Sequence, residues 1–259
     1  MILDTIAKAT KERIEAQMES KPLAEIKAAA LDMEKDTGFP FERALSKDKV
    51  SFICEVKKAS PSKGLIAERF PYVQIAKEYE AAGADAISVL TEPFFFQGNN
   101  GYLSSIRKEV QLPLLRKDFT VHEYMIYEAK KIGADAILLI CAILSQDQLE
   151  EYAGIAKELG LSALVEAHDE REIEMALKAK ARIIGVNNRN LQDFTVDINN
   201  SIRLRELVPR DILFVSESGM KTREDIVCLE ENGTDAVLIG ETLMRSGDKE
   251  GMLRELSGR

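Results

Sequence analysis

The sequence predicts a single (β/α)8 barrel, a TIM barrel of the α/β class, with an N-terminal helical extension. Three observations carry this. Eight apolar, β-rich runs recur near 51–56, 86–90, 111–115, 135–140, 161–165, 182–186, 212–216 and 235–239, with helical patterns between them. Strands alternating with helices indicate a parallel sheet covered by helices. A motif also returns three times, as Gly83-Ala84-Asp85-Ala86-Ile87, Gly133-Ala134-Asp135-Ala136-Ile137 and Gly233-Thr234-Asp235-Ala236-Val237. The first two are 50 residues apart and the third lies 100 further on, which fits βα units of roughly 25 residues. Finally, 259 residues suit a barrel formed as one domain. A doubly wound open sheet is the alternative, but no GxGxxG follows a strand and there is no Walker motif.

Residues 1–48 form the extension and 49–259 the barrel. Ile2, Leu3, Ile6 and Ala7 stand at helical spacing. Pro22 breaks this helix, Leu23, Ile26, Ala30 and Leu31 begin a second, and Phe41, Ala44 and Leu45 suggest a third. Three short helices make a poor core of their own, so their apolar stripes are expected to cap or flank the barrel mouth. Within the barrel, Pro71 suits the first turn of a helix that stops at Gly83. Thr120 with Glu123, and Ser145 with Gln148, read as capping boxes. Thr222 can cap the helix that ends before Gly233.

Composition narrows the function. The net charge of −9 disfavours nucleic acid and anionic membranes as partners. A small-molecule substrate is expected instead, with a monomer more in keeping than a dimer. No run reaches the ~18–20 apolar residues of a membrane span, and the N-terminus lacks signal-peptide features, so a cytoplasmic location is expected. Cys54, Cys141 and Cys228 match no zinc spacing and lie in apolar runs, which predicts buried free thiols. His122 and His168, the two histidines, read as surface residues opening helices. No metal site or cofactor is expected.

In such a barrel the active site lies at the C-terminal ends of the strands. The first strand, Phe52 to Val56, turns from apolar to charged, and Glu55 and Lys57 share a face with Ile53. Other strand ends carry Thr91-Glu92, Arg116-Lys117-Asp118-Phe119, Glu166, Asn187-Asn188-Arg189, Ser216-Glu217-Ser218-Gly219 and Gly240-Glu241-Thr242. Glu55, Lys57, Lys117, Glu166, Asn187 and Glu217 would form a ring of mixed charge. Ser218, Gly219, Gly240 and Glu241 suit a phosphate held on backbone N–H groups and a short helix N-terminus, with Ser60 and Arg189 adding donors. Plain tight turns are the alternative for those glycines.

These residues carry a resemblance. The run Phe52 to Gly64 resembles the first-strand signature of the indole-3-glycerol phosphate synthase family. Leu115 to Phe119, Leu164-Val165-Glu166, Asn187 to Leu191 and Ser216 to Gly219 are similar to its other motifs, in the same order. Cys54 departs from the family's usual small residue, and Phe94-Phe95 from its usual Lys-Tyr. The resemblance implies a carboxy-lyase of tryptophan biosynthesis that uses no cofactor. It would convert 1-(2-carboxyphenylamino)-1-deoxyribulose 5-phosphate to indole-3-glycerol phosphate, losing carbon dioxide and water. It assigns Lys117 as general acid for ring closure. Glu166 would be general acid/base for loss of the hydroxyl and the ring proton. Lys57 would bind the substrate carboxylate or act as a second acid; Glu55, Asn187 and Glu217 would orient the lysines and substrate hydroxyls. Phe96, Phe119 and Leu191 would wall the anthranilate ring. Two other readings compete: a phosphosugar isomerase on the same fold, which would need a Cys and an Asp at strand ends, and a non-catalytic scaffold, which would have lost its strand-end charges.

Overall fold

Parallel strands buried on both faces need apolar side chains in both directions, and the eight runs supply them. In the computed structural model, which describes residues 2–190 and 193–258, they close into one barrel. Its strands are β1 (Ser51–Val56), β2 (Ala86–Leu90), β3 (Leu114–Lys117), β4 (Ala136–Ile140), β5 (Ser162–Ala167), β6 (Ile183–Asn187), β7 (Leu213–Glu217) and β8 (Ala236–Ile239). Each pairs in parallel with its neighbours, and β1 closes the ring against β8. The third strand begins later than its apolar run suggested. Pro113 has no N–H to give the ladder, so only its carbonyl engages, accepting from the Ile87 N–H.

The helices are α1 (Ile2–Ser20), α2 (Leu23–Leu31), α3 (Pro40–Leu45), α4 (Tyr72–Ala81), α5 (Asn100–Arg107), α6 (Glu123–Ile132), α7 (Gln146–Glu158), α8 (Glu170–Lys178), α9 (Asn199–Arg205), α10 (Arg223–Glu231), α11 (Glu241–Arg245) and α12 (Lys249–Ser257). Ser145 with Gln148 forms the expected capping box, and Thr222 caps α10 in another with Asp225. Thr120 does not cap. The chain stays extended for two more residues, and His122 caps α6 by accepting from the Tyr124 N–H. Pro71 stands just before its helix, at the N-cap.

The repeated motif has a definite mechanical role. Gly83, Gly133 and Gly233 take φ of 86°, 90° and 85°, a region that glycine enters without a Cβ penalty. The aspartate two residues on then clasps the neighbouring strand. Asp85, Asp135 and Asp235 accept from the N–H groups of Phe52, Leu114 and Phe214 at 2.8, 2.8 and 2.7 Å. Each also donates its own N–H to that residue's carbonyl. Three of the eight strands are thus locked in register at the bottom of the barrel.

Side chains that point out of the strands, such as Phe52, Cys54 and Val56, pack with the helices. Those that point in, including Ile53, Ala86, Leu115, Ala136, Leu164, Val215 and Leu238, fill the barrel interior. The extension divides between the two ends. Phe41 and Leu45 of α3 join the interior cluster at the N-terminal end, where Glu42 accepts from the Ser162 hydroxyl and pairs with Arg182. Ile2, Leu3 and Ile6 of α1 reach the opposite mouth, and Arg13 binds the buried Asp118 carboxylate at 3.0 Å. So only α1 caps the mouth, while α3 plugs the base. Cys54 and Cys141 are buried as expected, but Cys228, on the outer side of α10, is exposed.

Candidate active site

The period of two along a strand decides what reaches the mouth. Continuing inward from Ile53, the next residues are Glu55 and then Lys57. From Leu115 comes Lys117, from Leu164 comes Glu166, and from Val215 comes Glu217. Ile183 leads through Gly185 to Asn187. Register then sets neighbours: Glu166 lies opposite Gly185, and Asn187 opposite Glu217.

Lys117 sits at the centre. Its Nζ donates to Glu166 Oε2 at 2.9 Å and to Glu217 Oε2 at 2.7 Å. Lys57 Nζ pairs with Glu55 Oε2 at 2.5 Å. Asn187 Nδ2 lies 3.4 Å from Glu166 Oε1. All six expected ring residues therefore converge.

Their electrostatics follow from burial and neighbours. Burial alone would lower the Lys117 pKa, but the Glu166, Glu217 and Glu55 carboxylates outweigh it and hold the ammonium charged. Burial would raise Glu166, yet Lys117 and His168 keep it below its ordinary value. Glu217 goes the other way. Burial, with the repulsion of Glu166 and Glu55, overcomes Lys117 and pushes it up to about 7. Its Oε1 is buried and lacks a hydrogen-bond partner among the described residues. Two carboxylates on one lysine thus hold opposite protonation tendencies, the arrangement that separates acid from base roles.

The ring opens into a cleft. One side is apolar, formed by Leu3, Ile6, Phe96, Phe119, Leu138 and Ile140. The Phe96 and Phe119 rings lie 5.9 Å apart. The loop bearing Phe96 is shaped by the buried Glu92, whose carboxylate accepts from the N–H groups of Phe94, Phe95 and Phe96. Leu191, the third expected wall residue, lies outside the described residues.

The other side continues into a polar recess between the loops after β7 and β8, lined by Ser218, Gly219, Gly240, Glu241 and Thr242, with Lys63 and Arg189 across from them. Ser60 lines the main cleft. Two of these residues also meet the charges around them. The Glu241 carboxylate lies within 3.6 Å of Lys63, 3.9 Å of Arg189 and 3.1 Å of Arg245. A carboxylate repels an anion, so only its backbone N–H could hold a phosphate. Gly240 also makes room for the ring: a Cβ there would stand 2.3 Å from Glu55 Oε2.

His168 corrects a sequence expectation. It is not a surface histidine but a largely buried one, with Nε2 3.5 Å from Glu166 Oε1. The period of two could have found it, since Glu166 and His168 share a face. The space left by Gly185 had no local signal. No group of three His, Cys, Asp or Glu among the described residues is placed to hold a metal ion.

Comparison with known proteins identifies the family. A family model described as indole-3-glycerol phosphate synthase matches residues 3–256. The indole-3-glycerol phosphate synthase of Ruminiclostridium cellulolyticum is 59% identical over 258 residues, covering 100% of this chain and 99% of its own. That of Endomicrobium trichonymphae is 57% identical over 256 residues, covering 99% of each chain. Among solved structures, a mutant tryptophan synthase alpha-subunit from Pyrococcus furiosus superposes with a TM-score of 0.62 at 16% identity, over 81% of this chain and 98% of that one. Identity that low speaks to the barrel alone. The family match spans nearly the whole chain and the relatives are more than half identical along their full length, so this protein belongs to the indole-3-glycerol phosphate synthase family.

Proposed function

We propose that this protein converts 1-(2-carboxyphenylamino)-1-deoxyribulose 5-phosphate to indole-3-glycerol phosphate, releasing carbon dioxide and water. The observation that carries this reading is a charged lysine held between two buried carboxylates, with an aromatic slot on one side and a polar recess on the other. The substrate has the matching parts: an aromatic acid at one end, a phosphate at the other and a carbonyl between.

The phosphate would sit between the loops after β7 and β8, on backbone N–H groups near Gly219 and Gly240, with Arg189 and Lys63 supplying charge. The anthranilate ring would lie against Phe96 and Phe119. Lys57 would face its carboxylate, or serve as a second acid. Lys117 would then give a proton to the carbonyl oxygen as the ring carbon attacks. A lysine surrounded by carboxylates is a weak acid. Uptake of a proton by Glu217 removes one of those carboxylates and makes Lys117 more acidic. Glu166, a carboxylate at rest, would serve the following dehydration by taking a proton from the new ring and passing it to the departing hydroxyl. The isomerase reading lacks its strand-end cysteine, because Cys54 faces the helices and burial pushes its thiol far up.

The direct test adds the carboxyphenylamino-deoxyribulose phosphate and follows indole fluorescence. Turnover without an added cofactor is expected; no indole from folded protein would remove the proposal. The lid gives a second expectation. Leu3→Ala and Ile6→Ala should each raise KM about tenfold, roughly the loss of 1.4 kcal/mol of apolar contact, while kcat stays within about threefold. An unchanged KM in both, with folding checked by circular dichroism, would mean that α1 has no part in binding.

A further inference from the structure

The proposed reaction has a proton balance that its acid cannot meet alone. A carboxylate enters, and neutral carbon dioxide and water leave. One proton is therefore taken up per turnover. It is spent first at Lys117, whose Nζ touches Glu166 and Glu217 deep in the cleft. Once substrate fills that cleft, a path to solvent must run behind these groups.

His168 stands on such a path. It follows β5 on the same face as Glu166, and its Nε2 is buried, unbonded among the described residues, and 3.5 Å from Glu166 Oε1. Its far side is held by α8. Glu172 Oε2 accepts the His168 backbone N–H at 2.8 Å and lies 3.0 Å from Nδ1. That contact makes Nδ1 a donor and turns Nε2 toward Glu166. Glu166 lines the substrate cleft and His168 does not. His168 lines a second, polar cavity with Glu172, Asn188, Asn190 and Asn200. The imidazole thus separates the catalytic carboxylate from a solvent-facing recess.

We propose that His168 is the positioning and proton-return residue of this site, resupplying Lys117 through Glu166 from the polar cavity. This rests on the reaction proposed above. In the step, the Nε2–H bond breaks and an O–H bond forms on Glu166. The carboxyl turns, its O–H breaks, and the neutral Lys117 amine regains its third N–H. The neutral ring then swings Nε2 toward the polar cavity, where water gives it a new N–H, and turns back, so each turnover draws one proton inward and no electrons are transferred.

The surroundings suit the task. Glu166 from β5, Glu172 from α8 and, further off, Glu217 from β7 face the ring. Burial alone would lower its pKa; the Glu172 bond and the Glu166 and Glu217 charges outweigh it and hold it above the ordinary value. Cys141, in the turn after β4, stays a thiol, since burial pushes it up to about 12. Arg189 and Asp197 border the same cavity.

The test is steady-state kinetics on wild type, His168→Gln and Glu172→Gln. Wild-type turnover establishes the reaction independently; no turnover there would sink the underlying reading instead. His168→Gln should lower kcat about tenfold or more with KM within about twofold, and added imidazole should restore much of the rate. Wild type should ignore imidazole. Glu172→Gln should move the alkaline fall of kcat to lower pH, because the ring loses a carboxylate that holds its proton. An unchanged kcat in His168→Gln, or a loss that imidazole does not repair, overturns the relay. If that variant does not fold, an unmoved pH profile in Glu172→Gln overturns it equally.

Discussion

Lys117→Ala should lower kcat by about 10²–10⁴-fold, the usual worth of a positioned general acid. The substrate loses the proton donor for its carbonyl, while the aromatic slot and the phosphate recess stay intact. KM should change far less. Lys117→Arg should recover little, since a guanidinium does not release its proton near neutrality. Lys57→Ala should instead raise KM, because its charge faces the cleft rather than the centre of the ring. Stability carries a second signature. Removing Lys117 leaves Glu166 and Glu217 as buried carboxylates without their cation, a change worth about 3–5 kcal/mol in comparable pairs. Both folded-state pKa values then rise above their unfolded values, so the penalty grows as pH rises through them and fades as pH falls. Glu217 is already raised to about 7 with the lysine present. The variant's deficit in melting temperature should therefore be larger at pH 8 than at pH 5. Steady-state kinetics and melting curves at the two pH values check this. Near-normal kcat in Lys117→Ala would transfer the acid role to Lys57.

Gly185→Ala and Gly240→Ala should lower kcat about 10²-fold with no backbone strain. A Cβ on Gly185 would stand 2.3 Å from Glu217 Oε1, and one on Gly240 would stand 2.3 Å from Glu55 Oε2 and 2.9 Å from Lys57 Nζ. In both, the nearest atom is the tip of a side chain, which can swing away. Neither position has the positive φ that would strain alanine. The fold can accept the methyl group, but the displaced carboxylate cannot keep its lysine in place. Misplacement by about 1 Å costs on this order in rate. Gly219→Ala is the contrast. At φ 100°, with Val196 Cγ1 2.6 Å away, it should lose about 1–3 kcal/mol of stability from backbone strain. Melting temperatures and kcat on the three variants separate these effects. A fully active Gly185→Ala would show that Glu217 tolerates the shift, and its position would not matter to the chemistry.

Local chemistry wrote much of this protein into its sequence. The eight strands show because apolar runs and glycine-ended helices are features of neighbouring residues. The ring at the strand ends shows because barrel strands deliver every second residue to the mouth, which places Glu55, Lys57, Lys117, Glu166, Asn187 and Glu217 together once the fold is assumed. The helical extension shows as periodicity, and its need for a surface follows from its size. That reasoning leads to the mouth for all three helices, and packing divides them. Only the closed barrel puts Leu3 and Ile6 over the cleft and Phe41 and Leu45 under it. Only closure brings Lys117 within 2.9 Å of Glu166 and 2.7 Å of Glu217, residues 49 and 100 positions away, and so sets the carboxylates' opposite protonation. The same holds for absent atoms: Gly185 matters because of what stands across from it. His168 was within reach of the period of two, since its partners Glu166 and Glu172 lie two and four residues away; the burial that makes the contact matter comes from the fold. Contacts within a few residues obey local rules, while the charge of a buried group depends on everything the fold brings within a few ångströms of it.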